Sequence, residues 1–310
     1  MTFEEAQALQ LSGRYSDLLR AAVREQVAAR EAGRADDELR WTLWAAKACR
    51  YVGRTFEGMA HAAHAALRAD GLGRRDLLAE AVYVQALLLK VDRKHDEAIA
   101  TLDRAIELLP PETPDFLRAV FELDRAELSV DAGRLEEAHA ALTRGAARVQ
   151  LLENTRLLAW TLYLRAQLEK ASTAAGMLSG AHSIAHSIDC PELEWQILWR
   201  LADCMHRVWD FEAEDDCARK ALAILKRMAE PLSEGDREAF WRQGARAPFF
   251  EYVRLRFGEQ EAPAPSPDAP GVDPSQLPWW DPTLMPAFVQ ESLKSGVRFQ
   301  GNGRGGTGGG

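Results

Sequence analysis

The sequence predicts an all-α fold, a right-handed solenoid of about six helical hairpins with a C-terminal cap and a disordered tail. Three observations lead to this prediction. The strong helix formers Ala, Leu, Glu and Arg dominate the first 260 residues, whereas Val, Ile and Thr are sparse there. Small residues recur with a period of 40 residues, and a turn sequence built on Gly recurs between them. Repeats of this length are typical of stacked helical hairpins.

The period is visible in three columns of residues. The first column, here called the marker positions, consists of Ala6, Ala46, Ala86, Ala126 and Ala166. Twelve residues after the markers stand Leu18, Gly58, Ala98, Ala138 and Leu178, and nineteen after them stand Glu25, Ala65, Ala105, Gly145 and Ala185. Only small side chains fit where two helices cross closely, so each unit should carry its marker on a first helix and the other two positions on a second. A sixth unit with shifted spacing starts near Ala202.

A turn is expected inside each hairpin, seven residues after the marker. Gly13, Gly53 and Gly133 stand there, and Gly accepts the left-handed backbone conformation that ends many helices. Unit three has Arg93 and Lys94 instead, and units five and six lack the Gly. Between units, where a proline does not interrupt a helix, the sequence has Pro110, Pro111, Pro114 and Pro191.

The repeat resembles the tetratricopeptide family. That family's pattern of a small residue, a Gly turn, an acidic pair and an Ala is matched in unit four by Ala126, Gly133, Glu136, Glu137 and Ala138. Unit three shows the same pattern with a closing Pro110. The resemblance covers residues 2–230 and is clearest in units two to four. The period of 40 exceeds the family's usual 34, so the helices or the linkers should be longer. Such long units are similar to helical-repeat segments of bacterial signalling proteins and transcriptional activators.

The chain is expected to divide into helical repeats over residues 1–230, capping helices over 231–258 and a largely disordered tail over 259–310. Ser233 is a suitable N-cap for a first capping helix, and aromatic residues follow it. The tail has eight prolines between residues 262 and 286 and seven glycines in its last ten residues. Within it, Trp279 and Trp280 either cover the cap or form a docking motif, for the chain's own groove or for a partner.

The resemblance also implies which residues bind. In the tetratricopeptide arrangement the first helix of each unit lines a concave groove, and the positions around the marker point into it. The groove candidates are therefore Arg40, Lys47, Arg50, Tyr83, Lys90, Trp160, Tyr163 and Trp199. The N-terminal half of this groove is basic and the C-terminal half is aromatic. A peptide with an acidic end and an apolar or aromatic body would complement it.

Residues that could perform chemistry are few, and we predict no enzyme activity, no cofactor and no metal. His182, His186 and Cys190 have a spacing of four residues that would suit zinc on one helix face. We prefer the alternative that these residues belong to an ordinary second helix of unit five without a metal. Ala185 fits the small-residue column, and Pro191 ends that helix before a third ligand turn. His61 and His64 are expected on the solvent side of a second helix. A phosphate-binding Gly loop followed by Lys and Ser or Thr is absent from the sequence, as is a nucleophile motif. A Gly-x-Gly-x-x-Gly pattern occurs at residues 301–306, but no predicted strand precedes it and no predicted helix follows it.

Charge and composition limit the function further. The net charge of -9 disfavours a general binder of nucleic acid or of anionic membranes. The sequence has no evident signal peptide or membrane span, and its four scattered cysteines suit the reducing cytoplasm. We expect a cytoplasmic, non-enzymatic scaffold or adaptor that binds a peptide or protein segment. The alternatives are a regulatory or sensor subunit of a separately encoded enzyme complex and a hydrolase with an unrecognised site.

Overall fold

A computed structural model describes residues 1–258 of the chain, and these residues contain helices and turns but no strand. Twelve helices form six consecutive hairpins, which confirms the predicted all-α solenoid. The first helices of the hairpins are α1 (Phe3–Leu11), α3 (Ala35–Val52), α5 (Arg75–Val91), α7 (Asp115–Asp131), α9 (Thr155–Gln167) and α11 (Pro191–Arg207). The second helices are α2 (Tyr15–Glu31), α4 (Thr55–Gly71), α6 (His95–Leu108), α8 (Leu135–Leu152), α10 (Ala171–Ser187) and α12 (Phe211–Ala229). Two further helices follow, α13 (Glu234–Arg242) and α14 (Arg246–Phe257).

The small-residue columns lie where the helices of a hairpin cross. The marker alanines are at most 3% exposed, and Ala98, Ala138, Ala65 and Ala105 are fully buried. At Gly58 a Cβ atom would lie 2.9 Å from a methyl carbon of Leu88 and 3.0 Å from Cβ of Cys49, so an Ala there would require the Leu88 side chain to shift. Glu25 is the exception in its column, since its side chain remains 21% exposed.

The turns explain the long period. Gly13, Gly33, Gly53 and Gly73 have φ angles between 66° and 85°, so a left-handed residue recurs every 20 residues. In units one and two, the turns within hairpins and the turns between them therefore follow one design, and the 40-residue unit consists of two halves. Most of the extra length lies in the helices, because the helices α2 to α5 contain 17 or 18 residues, about 26 Å each.

At four turns that lack Gly, another residue takes the same conformation: Arg93, Glu153, Asp189 and Trp209. Arg93, with φ of 60°, ends α5, and Trp209, with φ of 66°, ends α11. The backbone hydrogen bond is also repeated: the amide after the left-handed residue donates to a carbonyl five residues earlier, as from Arg54 to Cys49 at 2.9 Å. This is the Schellman arrangement that satisfies the last carbonyls of a helix.

The first and last hairpins contact each other. The Tyr15 hydroxyl, at the start of α2, donates to the Glu192 carboxylate of α11 over 3.0 Å. Tyr15, Leu225 of α12 and Phe249 of α14 belong to one continuous hydrophobic core. Residues that are more than 170 positions apart in sequence are thus packed together, and the helices after the repeats join them.

Helix α13 packs on unit two of the repeat array, and helix α14 packs on unit six. The Ser233 hydroxyl accepts from the Asp236 amide and starts α13. Asp236 also binds Arg54 at the turn between α3 and α4, with both carboxylate oxygens at 2.6 and 3.0 Å. In α14 the Phe249 ring lies against Trp195 and Trp199 of α11. Within residues 1–258, none of the helices is long and apolar enough to cross a lipid bilayer.

Candidate functional site

Polar side chains connect the successive first helices of the hairpins. Lys47 of α3 pairs with Glu80 of α5 at 2.5 Å, and Lys90 of α5 pairs with Glu127 of α7 at 2.7 Å. Two further contacts join first helices in the same way, Tyr83–Asp124 and Arg200–Gln167. We call these four pairs the polar strip: Lys47–Glu80, Tyr83–Asp124, Lys90–Glu127 and Arg200–Gln167. Each pair joins neighbouring first helices, three of them in units two to four and the fourth in units five and six.

Tyr83 and Asp124 form the most buried contact of the strip. The Tyr83 hydroxyl donates to Asp124 Oδ2 over 2.6 Å, and the Tyr83 ring stacks on Phe121 with centroids 4.2 Å apart. The pKa of Asp124 is raised to about 6, mainly by burial and also by the nearby Glu127, against the opposite effect of Lys90, Arg50 and the Tyr83 hydrogen bond. Burial and the Asp124 charge also raise the pKa of Tyr83 well above its ordinary value.

Two arginines on first helices of the hairpins, Arg50 and Arg156, have no carboxylate partner within ion-pair distance among residues 1–258. The Arg50 guanidinium stacks on the Tyr51 ring at 4.3 Å and, within residues 1–258, forms no ion pair within 4.0 Å. Burial lowers its pKa, but Tyr51, Asp124 and Tyr83 outweigh that effect and hold the group charged. Arg156, at the start of α9, likewise has no ion pair among the described residues, although it hydrogen-bonds Cys190. Burial lowers the pKa of Arg156, but Cys190, Tyr51 and Tyr83 raise it by more.

The two lysines predicted to face the groove are already paired with carboxylates of the chain, so they are less available to bind an acidic ligand than the sequence suggests. Lys47 is neutralised by Glu80, and Lys90 by Glu127 with Asp131 at 3.8 Å. Both lysines are therefore paired with a carboxylate of a neighbouring first helix. Arg40 is exposed and borders a hollow of about 250 Å³ whose lining includes Phe3, Trp44 and Lys47.

The predicted aromatic residues of the groove lie in different surroundings. Tyr163 is 8% exposed, and burial together with the charge of Glu127 raises its pKa. Trp160 is half-buried beside the core of units four to six. Trp199 is half-buried under α14, with the rings of Phe249 and Tyr252 at 5.0 and 4.8 Å. The C-terminal part of the face is therefore covered at Trp199 by the chain itself.

Two residues of this region were not found from the sequence. Glu192 accepts from Tyr15 and from Arg246, the latter at 2.7 Å, and so joins α2, α11 and α14. Arg156 stands ten residues before its marker, on the first turn of α9. Its spacing from the marker does not indicate which way its side chain points. The signal for both arises from contacts between distant units, so no local pattern could have identified them.

The residues weighed for zinc binding are arranged differently from the expected ligand set. His182 and His186 both contact Glu194 of α11, at 3.4 and 2.9 Å, and Cys190 is buried as the residue that precedes α11. The expectation that His61 and His64 face solvent is wrong: His61 is 1% exposed and His64 is half-buried, because α4 packs between α3 and α5. Trp279 and Trp280, and the rest of the predicted tail, lie outside the described residues.

Comparison with known proteins supports the fold. No protein-family model matches the sequence, and no curated protein matches it. A Rap protein complexed with competence and sporulation factor is similar, with a TM-score of 0.64 and 15% identity over 74% of this chain and 63% of that chain. Aspartyl phosphate phosphatase F from Bacillus subtilis has a TM-score of 0.60 and 14% identity, over 72% of this chain and 58% of that chain. BtubC from P. vanneervenii has a TM-score of 0.51 and 17% identity, over 71% of this chain and 94% of that chain.

Low identity and partial coverage limit which properties of these neighbours can be assigned to this chain. The chain spans less than two thirds of the length of the first two structures, 63% and 58%. At such identities the likeness extends to architecture, since one fold serves many functions. The chain is thus similar to these proteins in having a helical-repeat fold.

Proposed function

We propose that this chain is a cytoplasmic, non-enzymatic interaction module of the tetratricopeptide type that binds a peptide or protein segment on its polar strip. The strip alternates lysines and carboxylates along successive first helices, a pattern that suits the amide groups and mixed charges of an extended chain. One of the similar structures is a complex with competence and sporulation factor, which agrees with such a role. The four buried, free cysteines suit a reducing compartment.

The observation that carries the proposal is the pair Arg50 and Arg156. Both are half-buried guanidinium groups without a carboxylate within ion-pair distance among the described residues. Arg50 stacks on Tyr51 and Arg156 hydrogen-bonds Cys190, but neither contact neutralises the positive charge. A half-buried charge that is not neutralised is costly, so these groups favour an anion supplied from outside. Arginine binds a carboxylate in a planar, bidentate geometry. We therefore propose that they receive the C-terminal carboxylate or an acidic side chain of the bound segment.

The experiment uses peptides displayed with free C-termini and selected for binding to the full chain. Selected peptides are then measured by fluorescence polarisation against Arg50→Gln and Arg156→Gln. Each substitution should weaken binding by about 10- to 100-fold, since a hydrogen bond to a charged group contributes about 1.5–3 kcal/mol. Amidation of the peptide C-terminus, or replacement of its acidic residue, should produce the same loss.

The matched control is Arg104→Gln, which removes the same charge from an exposed position on α6. It should leave the affinity unchanged. Peptides that bind Arg50→Gln and Arg156→Gln as tightly as the unmodified chain would show that the two arginines do not receive the ligand.

A further inference from the structure

A thiol, a carboxylate and an imidazole meet inside the hairpin of unit two. Cys49 lies near the end of α3, and Glu57 and His61 lie one turn apart on α4. One possible ligand atom of each lies within 4.8 Å of the others, the only such trio of His, Cys and acidic residues within positions 1–258. The three residues are 0%, 7% and 1% exposed. Such a cluster needs an explanation, since ionisable groups are rarely buried together in a helix interface.

The equivalent positions of the neighbouring units hold no such group. Unit three has Leu89, Glu97 and Thr101 at these positions, and unit four has Ser129, Glu137 and Ala141. The repeat by itself therefore requires neither the thiol nor the imidazole, and the Glu is exposed in both other units. Unit two alone combines all three groups and buries them.

Helix α13 closes the cluster from outside. Arg54 donates to Glu57 Oε2 over 3.2 Å and binds Asp236 of α13 with two hydrogen bonds. This leaves Glu57 Oε1 on the side of His61, whose Nε2 lies 3.9 Å away. A carboxylate held by a second hydrogen bond in this way is typical of the outer shell of metal sites.

We propose that Cys49, Glu57 and His61 form a zinc-binding site. Thiolate sulphur, imidazole nitrogen and carboxylate oxygen are the three donor types that Zn²⁺ accepts. With metal–ligand distances of about 2.0–2.3 Å, the ligand atoms of a tetrahedral site lie about 3.3–3.8 Å apart. The observed separations of up to 4.8 Å would have to shorten by about 1 Å, within the reach of side-chain rotation. Three protein ligands leave the fourth position for water.

The charges also balance. On binding, the Cys49 thiol releases its proton to solvent, so that one thiolate and one carboxylate neutralise the dication. His61 binds as the neutral imidazole. Arg54 and Asp236 neutralise each other beside the site. The metal would therefore be buried without net charge, and it would fasten α3 to α4 beneath α13.

The test uses Co²⁺ as a spectroscopic substitute for Zn²⁺, added to the full, tag-free chain under reducing conditions. One equivalent should produce an intense near-ultraviolet thiolate-to-cobalt band and the visible bands of a tetrahedral ion, and Zn²⁺ should displace it. Cys49→Ala should abolish the near-ultraviolet band, and His61→Gln should weaken cobalt binding. Zn²⁺ should raise the melting temperature of the unmodified chain and not that of Cys49→Ala.

The control is Cys217→Ala, which removes another buried thiol, on α12, and should retain the band. If the unmodified chain shows no thiolate-to-cobalt band, or if the band persists in Cys49→Ala, the proposal is overturned. Should Cys49→Ala fail to fold, Glu57→Gln provides the second variant, because the Gln oxygen can still accept from Arg54. Unchanged cobalt affinity and visible spectrum in Glu57→Gln would likewise overturn the proposed ligand set.

Discussion

The turns of units two and four have the same design and different surroundings. Gly53 and Gly133 have φ angles of 85° and 73°, and the residue after each donates to the carbonyl five positions earlier, at 2.9 and 2.8 Å. A Cβ at Gly53 would lie 2.6 Å from the backbone of Ala239 in α13, whereas a Cβ at Gly133 would meet nothing within 4 Å. The local motif thus fixes the backbone, while a neighbour distant in sequence decides whether that turn is part of an interface.

The same two units differ on their first helices. Two positions before the marker, unit two has Trp44, which is half-buried with the Lys47 ammonium 4.8 Å from its ring centre. Unit four has Asp124 at that position, buried under the Tyr83 hydroxyl. Equivalent positions therefore give a surface-facing aromatic residue in one unit and a buried acid in the other. Three predictions test how far these differences extend.

The largest effect is expected at the two turns. Gly53→Ala should lower the free energy of unfolding by about 3 kcal/mol. The left-handed conformation costs a residue with a Cβ about 1–2 kcal/mol, and the clash with the Ala239 backbone adds a further cost of about 1–3 kcal/mol. Gly133→Ala should lower it by only about 1–2 kcal/mol, since strain alone acts there. Urea denaturation followed by circular dichroism measures both. Equal losses in the two variants would show that α13 does not press on the unit-two turn.

The second effect concerns Asp124 and depends on pH. With its pKa raised to about 6 in the folded chain and about 3.9 when unfolded, Asp124 holds its proton more tightly in the folded state. Its contribution to stability is therefore complete below about pH 4 and is lost as the pH rises through 6. Asp124→Asn should stabilise the chain by about 1–3 kcal/mol at pH 7, because Asn is neutral and still accepts from Tyr83.

The measurement is the urea midpoint between pH 4.5 and 7.5, taken as the difference between variant and unmodified chain. That difference removes the contributions of other titrating groups, such as His64, whose pKa is lowered mainly by burial. A pH-independent difference for Asp124→Asn would mean that the carboxylate is charged in the folded protein at every pH tested.

The smallest effect is expected at the turn of unit six, which carries Trp209 in place of Gly. Trp209 has a φ of 66° and is 78% exposed. Trp209→Gly should stabilise the chain by about 0.5–1 kcal/mol, because relief of the left-handed strain exceeds the entropy cost of Gly. Thermal and urea denaturation test this, with Arg93→Gly, also at positive φ, as the parallel case. Destabilisation by Trp209→Gly alone would indicate that the Trp209 side chain makes a stabilising contact.

Most of the repeat could be predicted because its signals are local or periodic. The marker alanines, Gly53 and Gly133 indicate where helices cross and where they end, and the structure confirms these positions. The 20-residue recurrence of turns was not predicted, because Gly33 and Gly73 lie between units, and the tetratricopeptide pattern places its Gly turn only within a unit. The burial of His61 was missed because α4 is covered on more than one side, while hydrophobic periodicity assumes a solvent face.

The sequence by itself determined the helical class, the hairpin spacing and the turn positions. These depend on backbone conformation and on side-chain size within about 40 residues, which the order of residues records directly. Only the tertiary structure decided that α13 binds the turn of unit two, that Glu192 joins the first and last units, and that Arg50 and Arg156 lack acidic partners among the described residues. These features depend on distances between residues as much as 180 positions apart, and small rotations accumulated over six hairpins set such distances.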